Sequence, residues 1–420
     1  MTLINNYQQA TARLKKYIPV AIINEPYTLD KMTALMNYLG NPQDKIKVIH
    51  IAGTSGKTST AYYAAALLSA AGHSVGLTVS PHVNNIGDRA QINLELLDEQ
   101  EYCKLLGHFL DLVESSNINP SYFEVLAGFA FWLFHQKGLD YAVIEVGLGG
   151  LLDGTNVINN NNKICIITDI GIDHIRLLGN TISQIAYQKA GIIKPKNSVF
   201  IYHQSSDVIA QVEAKCDKEK ADLHIVKSID KDKNLEKLPL FQQRNIYLAI
   251  QAVNYTLQRD DDKILTNRQI QIATTTIIPG RMEVVSYHNK NIILDGSHNE
   301  QKISALVAAI KQSYPNRNVA LMVSFGNSEK SNMTTKMTLL RQLGSTIIIT
   351  KFTKGQDEIR ISVRPEVLAT AAEQAGFTNI IIEENPIKAL RILVEKSTDI
   401  GLITGSFYLL GAVREVVLKK

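Results

Sequence analysis

The feature that most constrains this chain is Gly53-Thr54-Ser55-Gly56-Lys57-Thr58 and its surroundings. A β-branched run, Lys47-Val48-Ile49-His50-Ile51, precedes it, and a helical pattern runs from Thr58 to Ala71 until Gly72 stops it. Strand, glycine-rich loop and helix in that order make a phosphate cradle. The glycines admit close approach of backbone N–H groups to phosphate oxygens, and the helix N-terminus adds a partial positive charge. Lys57 brings a mobile cation, and Thr58 and Ser59 bring hydroxyls. Residues Gly53 to Ser59 are therefore expected to hold a nucleotide. The spacing is not the ordinary Walker one, because Ile51 stands where that pattern has its first glycine.

The rest of the chain repeats the strand–helix alternation. Tyr141 to Val146 and Ile164 to Thr168 are continuous apolar runs, which suit strands covered on both faces by helices in a parallel sheet. A boundary is expected near Pro279-Gly280-Arg281. Beyond it, Asn291 to Leu294, Val319 to Val323, Thr346 to Ile349, Asn379 to Ile382 and Ile400 to Thr404 read as strands. Helical patterns such as Gln301 to Ser313 and Pro365 to Ala375 separate them. The fold expected is α/β, in two domains: an N-terminal P-loop ATPase domain with a mainly parallel sheet over residues 1–283, and a smaller Rossmann-like α/β domain over 284–420. Leu223 to Leu240 is charged and weakly patterned. Asp230-Lys231-Asp232-Lys233 reads as a solvated loop and Asn159 to Asn162 as a surface turn.

Composition excludes several classes. A net charge of +4 over 420 residues, with no basic stripe, does not point to nucleic acid. The apolar stretch Val125 to Phe134 is too short to span a bilayer, and Met1 to Lys16 lacks an apolar signal core. Cys103, Cys165 and Cys216 are too dispersed for a disulfide framework or a zinc site. A cytoplasmic enzyme without a membrane partner is the expectation.

Ligands gather at the carboxyl ends of parallel strands, and three groups fall there. Glu145 ends the run from Tyr141 and precedes Val146-Gly147-Leu148-Gly149-Gly150. Asp173-His174 follows the run ending at Thr168. Asp295 ends the run from Asn291, ahead of Gly296-Ser297-His298-Asn299. Singly, each reads as a surface carboxylate or a structural histidine. Together with the phosphate loop they suggest a site. A carboxylate inside an apolar strand is costly to bury, and a metal ion would offset that cost. Magnesium on ATP needs only one or two protein ligands, which Glu145 and His174 could supply. Lys189 reads locally as a surface lysine.

These segments, in order from His50 to Tyr408, resemble the Mur ligase superfamily, and within it the folylpolyglutamate synthase/dihydrofolate synthase branch. The resemblance rests on His50 to Thr60, Ser80-Pro81-His82, Tyr122-Phe123-Glu124, Glu145 to Gly150 with Leu152 to Asn156, and Thr168 to His174 with Leu178-Gly179. It continues through Lys189 to Lys194, Gly280-Arg281, Asp295 to Asn299 and Gly405 to Tyr408. It implies ATP-dependent addition of L-glutamate to dihydropteroate or a folate through an acyl phosphate, by a chain expected to be a monomer. It implies Mg²⁺ on Ser80, Glu145 and His174, and a Lys189 carbamylated by CO₂ to give an anion, with Lys57, Glu145, His174 and Lys189 as the catalytic set. Asn245, Arg281, Asp295 and His298 match ATP-contacting positions. Phe123, Glu124, Leu152, Asp153 and Gly154 match pterin-side positions.

The chain departs from the family in places. Ser55 stands for the usual Asn, Thr58 follows the loop lysine, Leu151 replaces an arginine, and Asp88-Arg89 replaces Glu-Arg. These bear on the acceptor more than on ATP. Competing expectations are a peptidoglycan-precursor ligase, a ligase of the same branch with a non-folate acceptor, and a nucleotide-dependent binding module without ligase activity. The peptidoglycan relatives carry an extra domain ahead of the loop, for which the roughly fifty residues here are too few.

Overall fold

The computed structural model describes residues 4–18, 28–227, 229, 233–327, 331–352 and 361–419. They form two compact units, Met1–Thr276 and Ile277–Lys420. In the first, the strands are β1 (Lys47–Ala52), β2 (Val75–Thr78), β3 (Gln91–Ile92), β4 (Tyr141–Glu145), β5 (Ile164–Ile167), β6 (Ser198–Tyr202) and β7 (Asp222–Val226). They lie in the order β3-β2-β4-β1-β5-β6-β7. All neighbours run parallel except β2 and β3.

This order places β1 between β4 and β5, where successive crossovers diverge to the two sides of the sheet. Ligands bind outside the carboxyl ends of strands at such a switch point. The register sets the level of the groups there: Ile51 faces Glu145 and Ala52 faces Ile167. The apolar runs of β4 and β5 are buried throughout, as expected of strands with helices on both faces. β7 is only partly buried at the sheet edge, so its pattern is weak and the sequence from Leu223 does not read as a strand. Asp230 to Asp232 lie outside the described residues.

The helix Lys57–Ala70 buries Ala61 to Leu68 without a break. A helix apolar on all sides must be covered on all sides, and this one packs against β2, β4 and the helix Leu240–Asp261. Its alanines allow that close approach. A second core gathers the N-terminal helices Tyr7–Leu14 and Asp30–Tyr38 onto Glu99–Ser115 and Tyr122–Gln136. A third lies under the helices Ile182–Ala190 and Ser206–Glu219. Among the described residues no helix is long and apolar enough to cross a membrane.

The second unit holds β8 (Glu283–Tyr287), β9 (Lys290–Asp295), β10 (Ala320–Val323), β11 (Thr346–Ile349), β12 (Asn379–Ile382) and β13 (Ile400–Thr404). Their order is β12-β11-β10-β13-β9-β8, parallel except for β8 against β9. The expected α/β class holds in both units. The turn Pro279-Gly280-Arg281 is tied into the second unit, where the Gly280 N–H donates to Glu283 Oε2 at 2.9 Å and the Gly296 N–H to the Gly280 carbonyl.

Glu283 also forms a buried two-pronged pair with Arg414 of the helix Phe407–Leu418. Arg414 Nε donates to Oε2 at 2.8 Å and Nη2 to Oε1 at 2.6 Å. Removing one partner leaves the other charged in the core. Arg414→Met is therefore expected to destabilise the chain by about 3–5 kcal/mol, and a Glu283→Leu/Arg414→Leu double replacement to recover most of that. Urea denaturation followed by circular dichroism measures both.

Candidate active site

The phosphate loop is shaped by its two glycines. Gly53 has φ +152°, and a Cβ there would lie 1.8 Å from Thr168 Oγ1. Gly56 has φ +90°, and a Cβ would lie 2.4 Å from Asn245 Oδ1. Thr168 and Asn245 thus press on the loop from β5 and from the helix Leu240–Asp261. The Thr54 and Ser55 N–H groups donate to the Asp169 carbonyl at 2.9 and 3.1 Å, and Thr54 Oγ1 donates to the Gly171 carbonyl at 3.0 Å. Asp169 is held in turn by Arg244 Nη2 at 2.7 Å.

The helix that begins at Lys57 has no side-chain N-cap, since Gly56 occupies that position. Elsewhere in the same unit Ser121, Thr181 and Thr266 each form a capping box. The helix facing the switch point therefore opens on a glycine with no side chain across its first turn, a start suited to an anion.

Two lysines meet on one oxygen. Lys57 Nζ donates to the Gly53 carbonyl at 3.1 Å, and Lys189 Nζ donates to the same carbonyl at 2.8 Å. Lys189 is buried near the end of the helix Ile182–Ala190 rather than on the surface that local sequence suggests. Gly150, at φ +157°, admits this helix end: a Cβ there would come within 2.8 Å of the Gln188 carbonyl.

Beside the loop, Glu145 is 3% exposed. Its Oε1 accepts from Thr58 Oγ1 at 2.8 Å and its Oε2 from the Ser80 N–H at 3.1 Å. The turn after Ser80 is braced by Asp88, whose Oδ2 accepts the Val83 and Asn84 N–H groups, and by Arg89, whose Nε donates to His82 Nδ1 at 3.2 Å. A buried carboxylate flanked by a hydroxyl and by Ser80, at the start of a phosphate-binding helix, is a hard-oxygen donor set suited to magnesium. Among the described residues no three His, Cys, Asp or Glu side chains converge to hold a metal, so a cation here would draw on at most two such side chains and otherwise on hydroxyls, phosphates and water.

His174 lies on the segment that continues from Gly171. It has φ +48°, and its side chain is 46% exposed, 3.8 Å from Asp173. Of the expected acceptor-side residues, Phe123 and Asp153 flank Gly147, where a Cβ would strike the Phe123 ring at 2.5 Å; one on Gly154 would sit 3.2 Å from Glu124 Cγ. Glu124 closes the Ser121 capping box, Leu152 is exposed, and Asp153 is buried. Asp153 Oδ2 accepts the Leu148 N–H at 2.8 Å and Oδ1 the Thr155 N–H at 3.0 Å; burial raises its carboxyl above the ordinary range against those bonds.

In the second unit, Asp295 Oδ2 accepts the Met282 N–H at 2.9 Å, and Oδ1 accepts Ser297 N–H and Oγ at 2.9 and 2.6 Å. His298 Nδ1 lies 2.9 Å from the Gly296 carbonyl and Nε2 lies 3.1 Å from Lys302 Nζ. The Arg281 guanidinium lies over the Phe407 ring at 4.2 Å. Asp169, Arg244 and Thr155 escape a reading of residue types, although each stands in or beside a motif.

Residues 51–289 match the Mur ligase middle domain and residues 280–407 the Mur ligase glutamate ligase domain. The chain belongs to the Mur ligase family, whose members are ATP-dependent ligases. Within it, the likeness is to the folylpolyglutamate synthase/dihydrofolate synthase branch. The chain is 30% identical to the dihydrofolate synthetase of Saccharomyces cerevisiae, over 92% of this chain and 97% of that protein. It is 29% identical to the dihydrofolate synthase/folylpolyglutamate synthase of Bacillus subtilis, over 92% and 94%. The folylpolyglutamate synthase of Mycobacterium tuberculosis, solved with ADP and AMPPCP, superposes with a TM-score of 0.85 at 25% identity, covering 99% of this chain and all (100%) of that one.

Burial, first, and the charges of Lys163 and Lys194 hold His50 well below the ordinary 6.5; Thr155 and, through it, Asp153 face the ring. His82, buried beside Arg89, is lowered in the same way. Such a histidine is neutral when folded and takes up a proton on unfolding below about pH 6.5, so stability is held above that pH and falls as pH drops through it. His50→Gln is expected to remove up to about 1.4 kcal/mol per pH unit of that slope, measured as urea midpoints between pH 7.5 and 5.5.

Proposed function

We propose that this chain uses ATP to join L-glutamate to the carboxyl group of dihydropteroate or of a folate. One observation carries the reading: the Gly53 carbonyl gathers Lys57 and Lys189 directly beside the Thr58–Glu145–Ser80 group, at the start of an uncapped helix. That combination suits a transferring phosphoryl group, with amides and one cation for its oxygens and a buried carboxylate beside it.

In this reading the acceptor carboxylate attacks the γ-phosphorus of ATP, ADP leaves and an acyl phosphate forms. The amine of glutamate attacks the acyl carbon, loses its proton, and phosphate departs. Lys57 and the backbone at the start of the Lys57–Ala70 helix hold the phosphates, with the rest of Gly53 to Ser59 shaping the cradle. Asn245, packed on Gly56, borders the nucleotide; Arg281, Asp295 and His298, in the second unit, match ATP-contacting positions of the family. Phe123, Glu124, Leu152, Asp153 and Gly154 form the acceptor side. Magnesium, held by Glu145, Ser80 and His174, would stabilise charge on the transferring group. The same geometry supports carbamylation of Lys189. Two ammonium groups on one carbonyl repel, and a carbamate removes one positive charge while supplying an anion next to Lys57. The chain works as a cytoplasmic monomer in this reading.

A second reading, a ligase of the same branch with another acceptor, draws on Leu151, which stands where the family has arginine and whose N–H is held by the Gln188 carbonyl at 2.7 Å. Phosphate release with ATP, Mg²⁺ and glutamate separates the two. Release is expected to require dihydropteroate or tetrahydrofolate; a rate indifferent to both would sink the folate reading. Lys189→Ala is expected to lower turnover on the order of 10²-fold or more, with partial recovery in added acetate or formate. Full activity of that variant without additive would refute carbamylation.

A further inference from the structure

Strand β1 carries an imidazole at its centre. His50 sits between Ile49 and Ile51 and is 0% exposed, with Ile144 and Cys165 as its neighbours in the sheet. Its Nε2 lies 2.8 Å from Thr155 Oγ1, and Thr155 Oγ1 also donates to Asp153 Oδ1. The direction of this chain is fixed by proton count. Asp153 accepts from the Thr155 hydroxyl and from the N–H groups of Thr155 and Leu148, so it acts as acceptor throughout. Thr155 has a single hydroxyl proton, which goes to Asp153, so His50 Nε2 must carry the proton between His50 and Thr155. Nδ1 is then bare, in agreement with its lack of a hydrogen-bond partner among the described residues.

We propose that His50 is a positioning residue for ligation, acting through Thr155 and Asp153 on the Leu148–Thr155 turn. The reason lies in what that turn touches. The Leu151 N–H donates to the Gln188 carbonyl at 2.7 Å, and Asn156 Nδ2 donates to the carbonyls of Leu151 at 2.9 Å and Gly191 at 3.1 Å. The turn is thereby locked to the helix end that carries Lys189. Lys189 Nζ returns to the Gly53 carbonyl at 2.8 Å, three residues along the chain from His50. His50, Thr155, Asp153, the turn, Lys189 and Gly53 thus form a closed ring of covalent and hydrogen bonds. The ring includes Gly53 of the phosphate loop and the turn that carries the acceptor-side residues Leu152 to Gly154. A histidine that only filled space would need neither the hydroxyl of Thr155 nor a fixed tautomer. The kinetic part of this proposal rests on the reaction proposed above.

The test compares Thr155→Val, which keeps the volume and removes the hydroxyl, with Thr155→Ser, which keeps the hydroxyl. His50→Leu and His50→Gln form a second such pair, the glutamine amide supplying the donor. Thr155→Val and His50→Leu are expected to lower kcat/KM for the acceptor about tenfold or more, with KM for ATP within about twofold of the parent. Their double variant is expected to be no worse than either single, as members of one chain should be. Thr155→Ser and His50→Gln should stay near the parent. Hydrogen exchange of residues 147–157 should accelerate in Thr155→Val and not in Thr155→Ser, whatever the acceptor.

Equal behaviour of Thr155→Val and Thr155→Ser would overturn the relay, as would parallel losses for acceptor and ATP. Should His50→Leu fail to fold, the threonine pair decides alone. If the parent chain releases no acceptor-dependent phosphate, the proposed reaction fails, and the exchange comparison still decides the relay.

Discussion

The first unit is organised about the backbone of Gly53. Its carbonyl accepts from two lysines that are far apart in sequence, and the absence of a side chain lets Thr168 close over it. Any larger residue would push β5 away from the end of β1 and carry the Asp169 carbonyl away from the Thr54 and Ser55 amides. The loop cannot be treated as a detachable motif, because it is the point where β1, β5, the Lys57–Ala70 helix and the Lys189 helix end are mutually fixed. Two cations on one carbonyl also make this region favourable to anions.

Much of this was legible in the sequence, for reasons that can be named. Residues Tyr141 to Glu145 and Ile164 to Ile167 read as strands because they are buried on both faces, which leaves continuous apolar runs. The phosphate loop is legible because glycine spacing and a lysine are demanded by local backbone geometry. β7 was not legible, because an edge strand with partial exposure has no need of a sustained apolar pattern. β2 and the two-residue β3 are too short to carry a period.

The site divides along the same line. Glu145 stands at the carboxyl end of a readable strand, so its position beside the loop follows from register. Lys189 looks like a surface lysine because nothing within its own helix shows that the turn at Gly150 covers it. The link from His50 to Asp153 spans about a hundred residues of chain and depends on β1 and the Leu148–Thr155 turn being side by side, which no local pattern encodes. The Glu283–Arg414 pair is equally remote in sequence and equally hidden. His174 is a different case: its ring is half exposed, and the role proposed for it depends on a bound metal ion.

The missing cap at Gly56 has a further consequence. The helices after Ser121, Thr181 and Thr266 close their first turns with capping boxes, whereas the Lys57–Ala70 helix, at the carboxyl end of β1, opens on a glycine that a phosphate could cap. A nucleotide phosphate would then be a structural member of the helix as well as a reactant, and the folded population of the unit would follow the ATP supply by mass action. A cell short of ATP would thus lose some of the enzyme along with the fuel, joining its output to energy status without a separate regulatory site.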